Sequence, residues 1–221
     1  MARHLEVFGF GRVPAVVDGR ALDKLAAACD WMIGPASSVH ATERVTEFDV
    51  LERMPELAAI AHGDVVRDIR DAFFGRASHI VASDANLLVG DSYWHSDGSY
   101  QTPFLRFVLY LEPVTAKDGA LRAFPGSHRP DNGWAGEPTR NIMRHDADLG
   151  RSGAHLPAAV IDSQPGDLIV FDTNVLHSAW NGGRRRQLAF NVAGEPRTDT
   201  ERADTSRYVL NRYVSGSVRL A

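Results

Sequence analysis

The hydrophobic positions repeat with a helical period in the first third of the chain and in short, strand-like runs thereafter. Apolar residues three and four apart predict a helix over residues 20–32, which Gly34-Pro35 ends. A second apolar stripe begins after Pro55 and continues to a C-terminal cap at Gly75. Residues 1–77 are therefore predicted to be mainly helical, with at most a short strand at 13–17.

From residue 78 onward the apolar runs have the length and spacing of strands. Ile80 with Ala82 and Leu87-Leu88-Val89 suggest the first strands, and residues 104–111 predict a strong one. Turn signals rich in Gly and Pro separate further strands, which are predicted at 120–124, 158–162, 168–171 and 187–193. This succession predicts a mainly β fold, a sandwich or barrel, with the N-terminal helices packed on one face.

The remaining segments complete a single predicted domain over residues 1–221. Residues 129–157 are rich in Gly, Pro, Arg and Asp without any period, which is typical of a functional loop or lid. A short helix is predicted at 200–214. The domain would comprise helical support at 1–77, a β core at 78–195 and a C-terminal tail at 196–221.

Composition narrows the classes of function and the cellular setting. A net charge of −4 over 221 residues gives no basis for a nucleic-acid surface. Cys29 is the only cysteine, which excludes an intramolecular disulfide and a thiolate zinc site. The chain has no apolar run of about 18 residues and no apolar core for a signal peptide. We expect a cytoplasmic protein with a small-molecule partner and no membrane partner, and its oligomeric state stays open.

The candidate chemistry begins with His95 and Asp97, which lie two residues apart. On a strand such residues point to one face, so both could contact a single metal ion. The pair alone is a weak signal, since Asp97-Gly98-Ser99 also suits a surface turn. His177 strengthens it, because it follows a buried strand and precedes a glycine hairpin. Two histidines and one carboxylate suit a non-haem Fe(II) oxygenase.

An arginine after that hairpin extends the pattern. Arg186 begins the last predicted strand, nine residues after His177. Arginine binds carboxylates through two parallel hydrogen bonds, so Arg186 could hold the far carboxylate of a dicarboxylic cosubstrate. The alternative is a solvated hairpin of three arginines. The spacing from His177 to Arg186 is also compact, which leaves Arg185 as a minor rival to Arg186 for binding this carboxylate.

Three ordered blocks of sequence resemble the phytanoyl-CoA dioxygenase family of Fe(II)/2-oxoglutarate oxygenases. The most specific is the middle block, which runs from Asp118 and ends in Pro125-Gly126-Ser127-His128. The other two are Trp94-His95-Ser96-Asp97 and the segment from Pro165-Gly166-Asp167 to His177 and Arg186. Together they span about residues 85–195.

The resemblance implies a double-stranded β-helix, a distorted and cupin-like jelly roll. It implies that His95, Asp97 and His177 hold Fe(II), and that 2-oxoglutarate chelates the iron and pairs with Arg186. O2 would be the second cosubstrate, and Asn86 could help to hold 2-oxoglutarate. His128 would be structural or line the site. Substrate contacts are predicted for Trp94, Trp134, Trp180 and Arg144.

The predicted function follows from this resemblance. The enzyme would oxidise, and most simply hydroxylate, a C–H bond of a small molecule, for example in natural-product tailoring, and would release succinate and CO2. The carboxylate at Asp97 favours hydroxylation or another oxidation over halogenation. The alternative is an inactive or cupin-like β-barrel that binds a metal or a small molecule, a role that gives Arg186 no task.

Overall fold

The chain forms two antiparallel sheets, and helices cover the larger sheet. The computed structural model describes residues 1–33, 44–98, 101–131 and 153–216. The helices are α1 (Ala2–Phe8), α2 (Gly19–Ile33), α3 (Pro55–Ala61), α4 (Asp64–Phe74) and α5 (Asp199–Gly216). None of these described helices combines the length and the hydropathy that are needed to cross a membrane.

The two sheets together form the jelly roll that the resemblance implied. The strands of the two sheets are β1 (Phe10–Val13), β2 (Val45–Phe48), β3 (Ser78–Leu88), β4 (Ser92–His95), β5 (Phe104–Tyr110), β6 (Leu121–Ala123), β7 (Ala159–Ile161), β8 (Leu168–Asp172), β9 (His177–Ala179) and β10 (Arg185–Gly194). The larger sheet has the order β1-β8-β5-β10-β3-β2, and the smaller one has the order β4-β9-β6-β7.

Alternation along the strands divides the core into two layers. On β10, Leu188, Phe190 and Val192 join the layer that the helices cover. Ala189 belongs to the layer between the two sheets, together with Tyr110 and Phe171. Because successive side chains of a strand point to opposite faces, the odd-numbered residues of β10 face the space between the sheets. This parity decides which polar residues can reach the site.

Most predicted elements are confirmed, and the differences have local causes. The helix predicted from Pro55 to Gly75 is two helices, because the chain breaks at His62 and Gly63. The two strands predicted around 80–89 are one continuous strand, β3. The prediction missed α1 and the strands β2, β4 and β9, and the strand expected at 13–17 is β1, three residues earlier. These elements are short and lack a clear period, so their pairing with neighbouring elements determines them, and their own sequence pattern does not.

Phe190 tests the helix-covered layer of the core. Its ring stacks on Phe107 with centroids 4.9 Å apart, and both residues are fully buried. We expect Phe190→Ala to lower the free energy of unfolding by about 3–5 kcal/mol, because it opens a cavity between sheet and helices. Urea unfolding measures this loss. Val65→Ala, on the exposed side of α4, is the control and should change stability little; equal losses in both variants would contradict the core assignment.

Candidate metal centre

The pairing of β4 with β9 brings the three predicted metal ligands together. His95 lies directly opposite His177 in the smaller sheet, and their rings are 4.2 Å apart. His95 Nε2 is 3.5 Å from Asp97 Oδ1, and His177 Nε2 is 4.0 Å from Asp97 Oδ2. One ligand atom from each residue lies within 4.8 Å of the other two. Among the described residues, no other group of three such side chains is this compact.

Backbone hydrogen bonds orient both imidazoles in the same way. His95 Nδ1 lies 2.7 Å from the carbonyl oxygen of Tyr93, and His177 Nδ1 lies 2.9 Å from that of Val175. A carbonyl can only accept, so each Nδ1 carries the proton and each Nε2 keeps its lone pair for the centre. Two imidazole nitrogens and one carboxylate, with the remaining positions open, form a donor set that fits Fe(II).

The two histidines differ in their electrostatic surroundings. Burial lowers the pKa of His177 to about 4, and the neighbouring His95 lowers it further while Asp97 opposes the shift. Burial also acts on His95, but hydrogen bonding and charge from Asp97 outweigh it and raise its pKa. His177 is therefore neutral at pH 7, whereas Asp97 favours the protonated form of His95. In the neutral form, which binds a metal, His95 carries its proton on Nδ1 and keeps the lone pair of Nε2.

The loop after Asp97 is held against the turn between β8 and β9. The backbone N–H groups of Asp97 and Gly98 both donate to the carbonyl of Thr173 at 2.9 Å. A Cβ atom on Gly98 would lie 2.4 Å from Thr173 Oγ1, so only glycine permits this approach. The contact fixes the backbone of Asp97 relative to His177.

Arg186 does not lie in this space, which corrects the sequence prediction. Its even position on β10 directs it to the helix-covered face, where Nε donates to Glu112 Oε1 at 2.6 Å. One terminal nitrogen of Arg186 donates to Asp30 of α2 at 2.8 Å. Arg186 therefore ties the sheet to α2. The predicted placement of Arg186 beside the metal centre is wrong, because the register of β10 turns the neighbouring Arg185 inward instead.

Arg185 lies on the inner face and is 3% exposed. One terminal nitrogen donates to the carbonyls of Gly90 and Gly183, both at 3.1 Å. Its Nε is buried and has no hydrogen-bond partner in the described part of the chain. Burial raises the pKa of the Tyr110 phenol, and the positive charge of Arg185 opposes that rise. A buried guanidinium with an unused donor can bind an anion.

Two glycines make room for this guanidinium, and sequence reasoning had seen them only as turn residues. A Cβ atom on Gly119 would lie 2.8 Å from Arg185 Cζ, and one on Gly182 would lie 2.2 Å from a terminal nitrogen. Gly119 also has a φ of +85°, which favours glycine on its own account. The position of Gly119 in the most specific sequence block was the signal that could have pointed to it.

Comparison with known proteins identifies the lineage of this site. A family model described as phytanoyl-CoA dioxygenase (PhyH) matches residues 9–186. The chain belongs to the phytanoyl-CoA dioxygenase family. It is a non-haem Fe(II)- and 2-oxoglutarate-dependent oxygenase, which confirms the predicted enzyme class and cofactors. No curated protein matches the chain.

Solved structures share the fold of this family member at low sequence identity. HygX from Streptomyces hygroscopicus, with nickel and 2-oxoglutarate bound, has a TM-score of 0.67 and 15% identity over 86% of this chain and 84% of its own. EctD from S. alaskensis, with 2-oxoglutarate and 5-hydroxyectoine, has a TM-score of 0.64 and 19% identity over 87% of this chain and 74% of its own. SnoN, an epimerase from nogalamycin biosynthesis, has a TM-score of 0.61 and 18% identity over 88% of this chain and 82% of its own.

The predicted substrate contacts Trp94 and Trp180 lie on the wrong face of the smaller sheet of this dioxygenase. Trp94 points away from His95, is 1% exposed and donates to the Gly153 carbonyl at 2.9 Å. Trp180 packs beside it and donates to Ser178 Oγ at 2.9 Å. Both tryptophans pack the segment that begins at Gly153 against the face of the smaller sheet that is opposite the metal centre. Adjacent strand residues face opposite ways, so a ligand at His95 already placed Trp94 outside the site.

The other predicted residues have different outcomes. Asn86 faces inward opposite Gln187, which in turn lies opposite Tyr110, so all three share the row next to Arg185. Its role towards 2-oxoglutarate stays a prediction. His128 contacts the Glu6 carbonyl of α1, which favours the structural role. Trp134 and Arg144 lie outside the described residues.

Asp172 lies at the start of the turn that holds Asp97, and its titration should make the stability of the protein depend on pH. Burial raises its pKa from 3.8 to about 7, although hydrogen bonds from Asn174 oppose the shift. Between about pH 4 and pH 7 the folded protein binds this proton and the unfolded chain has released it. The free energy of unfolding should therefore fall as pH rises through that window, by at most about 4 kcal/mol from this group.

Asp172→Asn should remove that pH dependence, because the amide keeps the acceptor for the Asn174 N–H and carries no charge. We expect urea unfolding of the metal-free protein to show a larger advantage of the variant at pH 8 than at pH 5. Parallel stability profiles for the two proteins across this range would contradict the shifted pKa.

Proposed function

We propose that this enzyme hydroxylates a C–H bond of a small molecule, with oxidative decarboxylation of 2-oxoglutarate to succinate and CO2. In this proposal His95, Asp97 and His177 hold Fe(II). Arg185, and not Arg186, pairs with the far carboxylate of 2-oxoglutarate. The observation that carries the proposal is the convergence of three ligand atoms within 4.8 Å, with both imidazole Nε2 atoms available to one ion.

The bound iron and 2-oxoglutarate supply the activation of O2, and the protein supplies position and charge. The carbonyls of Tyr93 and Val175 keep His95 and His177 in the required tautomer. Asp97 contributes the negative charge that lowers the charge of the bound ion. A guanidinium at Arg185 fixes one end of the cosubstrate, so that its 2-oxo acid end meets the metal in one orientation.

The surroundings of Arg185 support its role as the carboxylate-binding residue. The Tyr110 hydroxyl accepts a hydrogen bond from the Gln187 amide at 3.1 Å, which leaves its own proton for an anion. Tyr110, Gln187 and Arg185 are all buried on the inner face. A carboxylate held there would receive charge-assisted hydrogen bonds in a region from which water is excluded.

A small-molecule substrate and hydroxylation are the finer parts of the proposal. The EctD structure contains 5-hydroxyectoine, a small hydroxylated compound, and SnoN is described as an epimerase. These outcomes belong to those proteins. The carboxylate at position 97 favours hydroxylation or another oxidation over halogenation. Among the oxidations we propose hydroxylation, because it requires nothing beyond the ligand set and cosubstrates already named.

Anaerobic titration of the metal-free protein with Fe(II) and then 2-oxoglutarate tests the proposed function. The complex should give the weak visible charge-transfer band of a 2-oxo acid chelated to Fe(II). Exposure to O2 should then yield succinate. Bound Fe(II) without the band at saturating 2-oxoglutarate would overturn the proposal and favour a cupin-like or binding role.

A further inference from the structure

A buried polar cluster lies on the inner face of the larger sheet, beside the metal centre. We define this polar wall as Asp84, Arg106, Asn191 and Tyr208, all at most 7% exposed. Asn191 is opposite Arg106 in the sheet, and Arg106 is opposite Phe171. The Phe171 ring is 4.8 Å from that of His177. The polar wall therefore stands at the level of the metal ligands.

Hydrogen bonds fix the orientation of the Asn191 amide. Arg106 donates to both carboxylate oxygens of Asp84, at 2.9 and 2.6 Å, and to Asn191 Oδ1 at 3.3 Å. The Tyr208 hydroxyl donates to the same Oδ1 at 2.9 Å. Two donors at one atom identify it as the oxygen, so the position of Nδ2 is determined as well.

The amide nitrogen of Asn191 is the unmatched member of this wall. Nδ2 is fully buried and finds no acceptor in the described part of the chain. Buried donors are seldom left unpaired, since the loss of hydration is not recovered. The other three members of the wall have no buried polar side-chain atom without a partner among the residues that the structure describes, so this donor is the exception within the wall.

The charges of the wall indicate what would pair with this donor. Asp84 neutralises Arg106 through two hydrogen bonds, so the pair offers no net charge to a ligand. The wall therefore lacks only one acceptor atom, for the neutral amide N–H of Asn191. A ketone, ether or hydroxyl oxygen meets it, whereas an ammonium group or a hydrocarbon does not.

We propose that Asn191 is a specificity-determining residue that donates a hydrogen bond from Nδ2 to an uncharged oxygen of the substrate. The substrate class is accordingly an oxygen-bearing small molecule. This inference rests on the proposed function, because it assigns the wall to the substrate of that same site. Tyr208 acts through Asn191 and is a positioning residue.

A matched panel of small cyclic compounds tests the substrate class. Each set carries at one carbon a ketone or methyl ether, an ammonium group, or no polar group. The readouts are the change in the Fe(II)·2-oxoglutarate charge-transfer band on anaerobic binding, and succinate formation above the rate without compound. Ketone or ether members should produce both effects, and their amine and hydrocarbon counterparts should not.

Asn191→Asp is the sharpest variant, because it keeps Oδ1 for Arg106 and Tyr208 and replaces only the donor. The half-saturating concentration of the active ketones and ethers should rise about 10- to 100-fold, which one lost hydrogen bond and one unpaired oxygen explain. Binding should shift in favour of the amines. The charge-transfer band without compound should not change, since the metal ligands and Arg185 are intact.

Tyr208→Phe provides a second variant that keeps the ring stacked on Phe104, 4.3 Å away. Without the hydroxyl the amide is held by Arg106 alone, so the same compounds should bind more weakly, by a smaller factor. Leu210→Ala is the control, because that side chain belongs to the same helix, is 61% exposed and lies outside the wall.

The possible failures are distinguishable. If the band forms but no oxygen-bearing compound acts, or if Asn191→Asp binds every compound as the parent does, the inference is overturned and the proposed function stands. The second of those results would mean that a bound water satisfies the amide. If the band itself never forms, the proposed function fails and the inference fails with it.

Discussion

Asp97→Ala should abolish metal-dependent turnover of 2-oxoglutarate. Loss of a residue that merely supports a metal ligand typically costs about 10- to 100-fold in metal affinity. Asp97 supplies the anionic ligand of the set itself and compensates the positive charge of the ion. We therefore expect Fe(II) or Co(II) affinity to fall by more than about 100-fold, and succinate formation to fall to background.

Two measurements separate this result from unfolding. Thermal melting of the metal-free variant should show a folded protein, because the side chain of Asp97 is partly exposed and its backbone contacts to Thr173 survive the change. Asp64→Ala removes a carboxylate that is 82% exposed in α4 and should leave metal binding intact. A folded Asp97→Ala protein that still forms succinate with Fe(II) would refute the ligand assignment.

Adjacent arginines provide the second large effect, and the same substitution at each makes a matched pair. Arg185→Ala removes a buried cation from the inner face. Truncating one partner of a buried, hydrogen-bonded charge pair costs about 2–5 kcal/mol, so the KM for 2-oxoglutarate should rise roughly 30-fold to several thousand-fold. Arg185→Lys should recover only part of this loss, because lysine lacks the two-pronged geometry.

Arg186→Ala should leave 2-oxoglutarate binding unchanged. It breaks ion pairs with Glu112 and Asp30 that are partly open to solvent, so the expected cost is about 1 kcal/mol of folding stability. Steady-state kinetics and the charge-transfer titration measure the first property, and urea unfolding measures the second. A raised KM for 2-oxoglutarate in Arg186→Ala, with a normal KM in Arg185→Ala, would show that Arg186 binds the far carboxylate of 2-oxoglutarate.

The sequence predicts most of the strands, the class of fold and the shared orientation of His95 and Asp97, because these depend on local patterns. Turn residues, alternation and the two-residue spacing of the ligands are all visible without coordinates. The pairing of His95 with His177 across β4 and β9 also needed the order of the strands, which the family resemblance supplied and composition did not.

The errors arise where a difference of one residue reverses the face of a strand. Arg185 and Arg186 are chemically identical, and both faces of β10 are buried, so hydrophobicity did not distinguish them. The contacts of Glu112 and Asp30 with one arginine, and of Gly119 with the other, depend on residues far away in the sequence. The unmatched amide of Asn191 depends in the same way on Arg106 and Tyr208.

The position of Tyr208 has a consequence for how such an enzyme can diversify. Every proposed ligand of the metal and of 2-oxoglutarate precedes α5, whereas Tyr208 belongs to α5 and reaches the polar wall from outside the sheets. Exchange of this one terminal helix would alter the wall while leaving the reaction machinery untouched. Directed evolution for new substrates could therefore begin with a library confined to the C-terminal segment, in which inactive variants from damaged iron sites should be rare.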